Sequence, residues 1–340
     1  MPTTLRDLGE RYILRHIIPE YCDAAGDDCA ILNCGDIDVV ISTDPVPVPA
    51  AQVIGGDSDL YWMGWLLVVI NASDLAAAGA FPVGFVSALE LEPERSVEDL
   101  RRLLDGIREA CKHEGLKYVG GNLKEGSKLS GVGTAVGRSV RGRALGRRGA
   151  RTGDLLVSVG AGGVFWRDAL ATMQGGRVKD KAKSPLFAPG SQVHVMHDLG
   201  GRGLVHASID NSDGLLPSLV QLASCNSMSI TVDLSSLSVS GSAELGIDPA
   251  RLWLGWGDWN VFAAMPESDC QLARLVGAQL GVEITSIGEF WGTEAGVFLR
   301  RGDRTVPAPR LESERFAADS WFAEGIQAYV ERLLAIKIPE

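Results

Sequence analysis

The sequence predicts a protein of the α/β or α+β class, and three observations carry that expectation. Its 340 residues are enough for about two domains of ordinary size. With 46% hydrophobic and 22% charged residues, it has the composition of a globular chain with a sizeable core. Short apolar runs bounded by turn residues alternate with helical stripes in both halves, and an Arg-rich stretch separates them. The expected division is residues 1–150 and 151–340.

Taken in order, "TLRDLGERYILRHI" reads as an opening helix, with Leu5, Leu8, Tyr12 and Ile13 at helical spacing. "CAILN" and "IDVVISTD" read as short strands, the second ending at Thr43 and Asp44. "DPVPVPAAQ" is an extended loop, because Pro45, Pro47 and Pro49 preclude a helix. A helix from about Leu60 to Ala78 carries Asn71 and Asp74 near its C-terminal end. Its apolar run, Leu60 to Ile70, is 11 residues long. A bilayer span needs about 20 residues, so a buried core helix is expected. "PVGFVSALELE" is a strand. In "SVEDLRRLLDGIREACKHEG", Ser96 is the N-cap, Leu100, Leu103, Leu104, Ile107 and Cys111 form the stripe, and Gly115 is the stop. "LKYVGG" is a strand and turn, and "LSGVGTAVGRSV" a Gly-rich strand. Six arginines between Arg138 and Arg151 mark a solvated interdomain segment, one or two of them available to phosphate. Then come a strand in "DLLVSVGAGG", a strand, turn and helix in "HASIDNSDGLLPSLVQLA", and strands in "SITVDLSSL" and "WNVFAAMP". "RFAADSWFAEGIQAYVERLLAIK" is a closing helix.

Composition narrows the function. A formal net charge of −11 argues against a nucleic-acid binder or an anionic-membrane binder. Six cysteines without a C-x-x-C pair, behind an N-terminus lacking an apolar export segment, fit reduced thiols in a cytoplasm. His194, His197 and Asp198 offer ligand atoms, but two histidines in a lone cluster are usually surface residues. "VGGNLKEGSK" imitates a phosphate loop through Gly121 and Gly126. However, Ser127 and Lys128 are transposed, and a strand rather than a helix follows.

Acidic residues gather at strand ends and helix termini: Asp27 and Asp28, Asp44, Asp74, and Asp210 with Asp213. Such positions hold carboxylates rigidly and leave them reachable, as a hard cation such as Mg²⁺ requires. Each one alone is an ordinary turn or cap residue.

The words around them carry more. "GDDCAIL", "ISTD", "NASDLAAAGA", "GRALGRRGARTGD", "IDNSDGL" and "IGEFWGTEAGV" occur in this order from Gly26 to Gly296. Together they resemble thiamine-monophosphate kinase and, more broadly, the superfamily of aminoimidazole ribonucleotide synthetase and selenophosphate synthetase. The resemblance implies a two-domain PurM-like fold whose N-terminal domains pair into a dimeric β-barrel, with ATP in a cleft beside it. It implies Mg²⁺ held by Asp28, Asp44, Asp74, Asp210 and Asp213 with help from Thr43. Nucleotide contacts would come from Ser212, Arg147 and the Gly121 turn with Asn122. Phosphoryl transfer would then rest on positioning and charge, with Asp44, Asp210 and Arg147 central.

The departures fall on the acceptor side. Asn122 stands where the kinase pattern has Asp. The loop after "STD" lacks the family's His, and Gln52 falls nearest. "GGEDYEL" becomes "GWGDWNV", so Gly257 and Asn260 replace two Glu residues while Asp258 survives; Ser218 replaces an Asp. Trp253, Trp256 and Trp259 read either as packing or as a stacking wall. Gln52, Gly257, Asp258, Trp259 and Trp321 are the candidate acceptor contacts. The expected activity is ATP- and Mg²⁺-dependent phosphorylation of a small molecule by a cytoplasmic homodimer. A genuine thiamine-phosphate kinase, an amide- or carboxylate-activating synthetase and a weakened nucleotide-binding regulator are the alternatives.

Overall fold

Two sheets and the helices packed on them form the protein in a computed structural model, which describes residues 3–22, 26–311, 316 and 324–340. The first sheet holds β1 (Ala30–Cys34), β2 (Ile37–Pro45), β3 (Phe81–Leu91), β4 (Lys117–Glu125) and β5 (Ser130–Val140), in the order β1-β2-β5-β3-β4. The second holds β6 (Leu155–Val159), β7 (Ala207–Asp210), β8 (Ser229–Asp233), β9 (Val261–Met265), β10 (Ile284–Trp291), β11 (Gly296–Arg301) and β12 (Arg304–Pro307). Their order is β12-β11-β8-β10-β6-β9-β7.

The expected opening helix is broken. α1 (Leu5–Leu8) and α2 (Glu10–Tyr12) meet at Gly9, whose φ of 76° lies outside the right-handed helical region, and neither buries a residue. Helical spacing without a surface to pack against does not sustain a long helix. The proline-rich loop is extended as expected, but α3 (Ala50–Val53) starts immediately after Pro49.

α4 (Leu60–Ala77) is capped by Asp59, whose side chain accepts from the Tyr61 N–H at 2.9 Å. It is long and apolar enough to cross a membrane, but 72% of it is buried inside the protein. The first sheet lies on one side and α5 (Val97–His113) on the other, with α7 (Val193–Gly201) and β7 alongside. A helix enclosed this way is apolar all round. In α5, Ser96 accepts from the Asp99 N–H at 3.0 Å, and Leu103, Ile107, Ala110 and Cys111 face inward.

β6 and β9 are buried on both faces because the second sheet has a core on each side. Val157, Val159, Val261 and Ala263 join α4 and the first sheet in a shared core. Leu156, Phe262 and Ala264 face a separate core. That core packs α6 (Val164–Met173), α8 (Leu215–Asn226), α9 (Pro249–Leu254) and α11 (Ile326–Ala335), while α10 (Cys270–Gln279) completes the shared side.

The first sheet alternates differently. Asp38, Val40 and Ser42 of β2 and Gly131, Gly133, Ala135 and Gly137 of β5 face α4 and are buried. The opposite face pairs Ile37 with Val140, Ile41 with Val136 and Pro45 with Val132, and Val86 of β3 continues it. Val132 and Val140 on this face are 41% and 68% exposed, leaving an apolar sheet surface that no element of the chain covers among the described residues.

α4 and α5 approach unusually closely through reciprocal glycines. A Cβ at Gly64 would lie 2.1 Å from the Leu103 carbonyl oxygen, and one at Gly106 would lie 2.0 Å from that of Tyr61. Gly→Ala in a helix ordinarily stabilises by about 1 kcal/mol. Here overpacking reverses the sign, and Gly106→Ala should cost about 2–3 kcal/mol. Thermal denaturation would register this as a clear fall in Tm, and an unchanged or raised Tm would refute the close crossing.

Candidate functional site

Three carboxylates meet where the two sheets adjoin. Asp28 comes from the turn before β1, Asp74 from the last turn of α4, and Asp210 from the end of β7. One ligand oxygen from each lies within 4.8 Å of the others. Each is positioned by side chains of neighbouring elements. Ser42 of β2 donates to Asp74 at 2.5 Å, and Ser73 of α4 donates to Asp210 at 3.0 Å. Ser212 donates to the other Asp210 oxygen at 3.1 Å. Asn71, fully buried, accepts from the Asp44 N–H at 3.0 Å and so ties the end of β2 to α4.

Like charges this close in a dry place resist ionisation. Burial, and then the neighbouring Asp28 charge, push the Asp210 carboxyl up to about 7. Burial and the charges of Asp210, Asp44 and Asp28 hold Asp74 well above the usual carboxylate range. The adjacent Cys29 thiol is raised by burial and by the same carboxylates. Arg147 is the opposing charge. Burial disfavours its charged form, but Asp28, Asp210 and Asp27 together outweigh that and keep it protonated. Its Nη2 and Nε both donate to one Asp28 oxygen, the latter at 3.2 Å, and its Nη1 donates to Gln221 at 2.9 Å. The backbone around it is fixed too. Asn226, ending α8, donates to the Arg147 carbonyl at 2.7 Å and accepts from Gly149 and Ala150.

The second Asp28 oxygen is buried with no hydrogen-bond partner. An all-oxygen donor set with raised carboxyl pKa values and one unpaired, buried acceptor fits a hard divalent cation such as Mg²⁺.

The other expected residues divide into two groups. Asp44 and Asp213 stand close enough for their charges to raise Asp74 and Asp210 respectively, and Gln221 donates to Asp213 at 3.4 Å. Ser212 is exposed beside Asp210. Thr43 turns the other way: its hydroxyl donates to the Gly133 carbonyl at 3.0 Å and lies 2.9 Å from Thr134, on the uncovered face of the sheet. The expected Gly120–Gly121 turn is a bulge within β4, where the pairing with β3 shifts at Phe85 and Val86. A Cβ at Gly121 would meet the Ser87 carbonyl oxygen at 1.8 Å, so this strand must approach through glycine. Asn122, opposite Ala88, is exposed.

On the acceptor side, Gln52 is exposed on α3 and Trp321 lies outside the described residues. Gly257, at φ 111°, abuts the Phe165 ring, which a Cβ would meet at 2.6 Å. Phe165 therefore fills the space where any side chain at position 257 would begin. Trp256 packs against Phe165 and Trp166 at centroid distances of 5.0 and 5.4 Å, and Trp253 is buried, donating to the Ser238 carbonyl at 3.0 Å. Those two tryptophans pack the core. Trp259 is half-buried with a left-handed φ of 55°. His197 sits 3.3 Å from the Gly79 carbonyl oxygen and Asp198 pairs with Arg202, so these two residues have partners of their own.

Asp258 is buried, and its two oxygens accept from the Gly163 and Phe165 N–H groups at 2.6 and 2.8 Å. It caps α6 from 93 residues away in sequence. The supports Ser42, Ser73, Gln221 and Asn226 have no signal of their own in the sequence, although Ser42 sits inside "ISTD" and Ser73 inside "NASD".

Burial raises the Asp258 carboxyl from 3.8 to about 7 against those backbone donors. The folded state thus holds this proton more tightly than the unfolded chain. The group's contribution to stability is full below the unfolded value and is lost as pH rises towards 7. Asp258→Asn should flatten this part of the pH–stability curve, whereas Asp258→Ala should cost about 2–3 kcal/mol by orphaning two donors. Urea unfolding at pH 5 and pH 8 measures both effects, and an unchanged slope in the Asn variant would contradict the first.

Residues 26–139 match the AIR synthase related protein, N-terminal domain family. A curated thiamine-monophosphate kinase of Halobacterium salinarum is 28% identical over 299 residues, spanning 87% of this chain and 94% of that relative. Among solved structures, tt0281 of Thermus thermophilus superposes with a TM-score of 0.78 at 26% identity, covering 90% of this chain and all of that one. AaThiL, solved with AMPPCP and TMP, shares the fold with a TM-score of 0.74 at 22% identity, over 89% and 98% of the two chains. Residues 26–139 are thus similar to AIR synthase related N-terminal domains, and over most of its length the chain is similar to thiamine-monophosphate kinases.

Proposed function

We propose that the protein is an ATP- and Mg²⁺-dependent kinase of a small-molecule acceptor, and one observation carries the reading. Three converging carboxylates, one with an unpaired buried oxygen, form a hard-cation site in a chain similar to thiamine-monophosphate kinases over most of its length. Asp28, Asp74 and Asp210 would hold Mg²⁺, with Asp44 and Asp213 beside them. What Mg²⁺ supplies when bound is charge neutralisation between these carboxylates and a polyphosphate. Ser42 and Ser73 keep Asp74 and Asp210 in place, so binding needs little reorganisation of the chain. Arg147, fixed by Asp28 and Gln221, contributes a permanent positive charge, and the exposed Ser212 hydroxyl can meet a phosphate oxygen. Transfer then depends on alignment more than on proton abstraction.

The acceptor is read as differing from thiamine monophosphate. Gly257 carries no carboxylate, and Phe165 occupies the room for one. The names of the relatives favour the second reading, a genuine thiamine-monophosphate kinase. ADP release assayed with thiamine monophosphate separates the two. Little stimulation over the acceptor-free rate is expected, and a turnover of roughly 1–100 s⁻¹, ordinary for kinases, would establish the second reading.

Asp210→Asn should abolish Mg²⁺-dependent ATP binding, as should Asp44→Asn. Calorimetric titration checks this, and wild-type affinity in both variants would remove the site.

A second copy of the chain is the proposed cover for the apolar sheet face around Val132, Val136 and Val140, since an exposed face of this extent marks an interaction surface. Light scattering should give twice the 36.2 kDa chain mass, and Val132→Asp with Val136→Asp should halve it. A monomeric wild type would contradict the pairing. The reading places the protein in the cytoplasm, where ATP is supplied and its six cysteines would stay reduced.

A further inference from the structure

The turn that carries Asp210 and Ser212 is held from below by a chain of buried amides. The Asn211 N–H donates to the Asn260 carbonyl at 2.9 Å, and the Asn211 side-chain amide donates to Asn260 Oδ1 at 2.7 Å. Asn260 Nδ2 donates onward to Ser158 Oγ at 2.7 Å, and Ser158 Oγ donates to the Gly160 carbonyl at 2.9 Å. All three side chains are at most 1% exposed. Three separate segments are joined: the end of β6, the residue before β9, and the turn between β7 and α8. Gly160 lets this happen, since a Cβ there would come within 2.8 Å of Gln192 and 3.2 Å of Asn260.

Stability alone does not account for these groups. Asn211 Oδ1 is buried with no partner, a standing cost. Two leucines keep the branching of two asparagines, although their methyl groups need more room than an N–H···O pair at 2.7 Å, and replacing both members of a buried polar pair by apolar groups can be nearly neutral. What leucines cannot do is fix the rotation of the turn through directional bonds. Asn211 lies between Asp210, whose carboxylate belongs to the cation cluster, and Ser212, which bonds that carboxylate. A displacement of about 1 Å in such a group can cost about 100-fold in rate.

We propose that Asn211 and Asn260 are positioning residues for the phosphoryl-transfer centre: their amide pair sets where Asp210 and Ser212 stand, without touching the nucleotide. The inference rests on the proposed kinase reading. It also gives the change from Glu to Asn at position 260 a purpose, because a neutral amide can both accept from Asn211 and donate to Ser158, which an ionised carboxylate cannot.

The test uses the full-length protein with Mg²⁺ and ATP, reading nucleotide affinity by calorimetry, Tm, and the acceptor-free ADP-release rate, to which kcat and KM refer. Asn211→Leu and Asn260→Leu singly should lower Tm and turnover together. The double variant Asn211→Leu/Asn260→Leu should regain part of the Tm lost in the single variants while kcat stays at least tenfold down and KM for ATP changes less than threefold. Ser158→Ala, a milder cut at the far end of the chain, should lower kcat about threefold. Recovery of kcat in step with Tm in the double variant, or unchanged kcat in Ser158→Ala, overturns the proposal and makes the pair a packing element. Wild-type protein that fails to bind ATP with Mg²⁺ sinks the underlying kinase reading instead, so the two failures are distinct.

Discussion

Three carboxylates within 4.8 Å of one another, in a place partly closed to water, cannot all stay ionised without positive charge between them. Much of the surrounding structure answers that constraint. Arg147 supplies one fixed cation and is itself clamped by Asp28, Gln221 and the Asn226 bridge to α8. The remaining imbalance appears as raised carboxyl pKa values at Asp74 and Asp210. A cation with oxygen preference would remove that imbalance, which supports the proposed metal–polyphosphate centre over a structural salt-bridge network.

The seam between the sheets is where such a centre can be rigid and still open. α4 links them: its body is enclosed by the first sheet, α5 and the shared core, and its last two turns deliver Asn71, Ser73 and Asp74 to the seam. Ser208 of β7 donates to the Ala77 carbonyl at 2.6 Å, tying the second sheet to the same turn. The reciprocal glycines of α4 and α5 fix the helix from behind. Packing far from the carboxylates thus determines their spacing.

Features encoded locally are legible in the sequence, and features set at a distance are not. The α4 and α5 ends follow from Asp59, Ser96 and the apolar spacing, and β2 and β7 end at or beside the expected aspartates. Strand ends and family words point to Asp28, Asp74 and Asp210, and these three do converge. The opening helix is interrupted at Gly9 and continues beyond it as irregular helical turns to Glu20, without burying a residue. The Gly120–Gly121 turn is strand instead, since parallel pairing with β3 extends the chain through both glycines. α6 carries no local start signal because its cap is Asp258, far along the chain. Trp253 and Trp256 allow two readings until their neighbours are known, and a core position answers for both. The Asn211–Asn260 pair is invisible for the same reason: its partners are 49 residues apart.

The most direct measurement is a crystal structure of the protein with Mg²⁺ and a non-hydrolysable ATP analogue. The account predicts cation density bridging Asp28, Asp74 and Asp210 to the phosphates, with Arg147 still paired to Asp28. Nucleotide bound elsewhere, or bound with these three carboxylates uncoordinated, would contradict it.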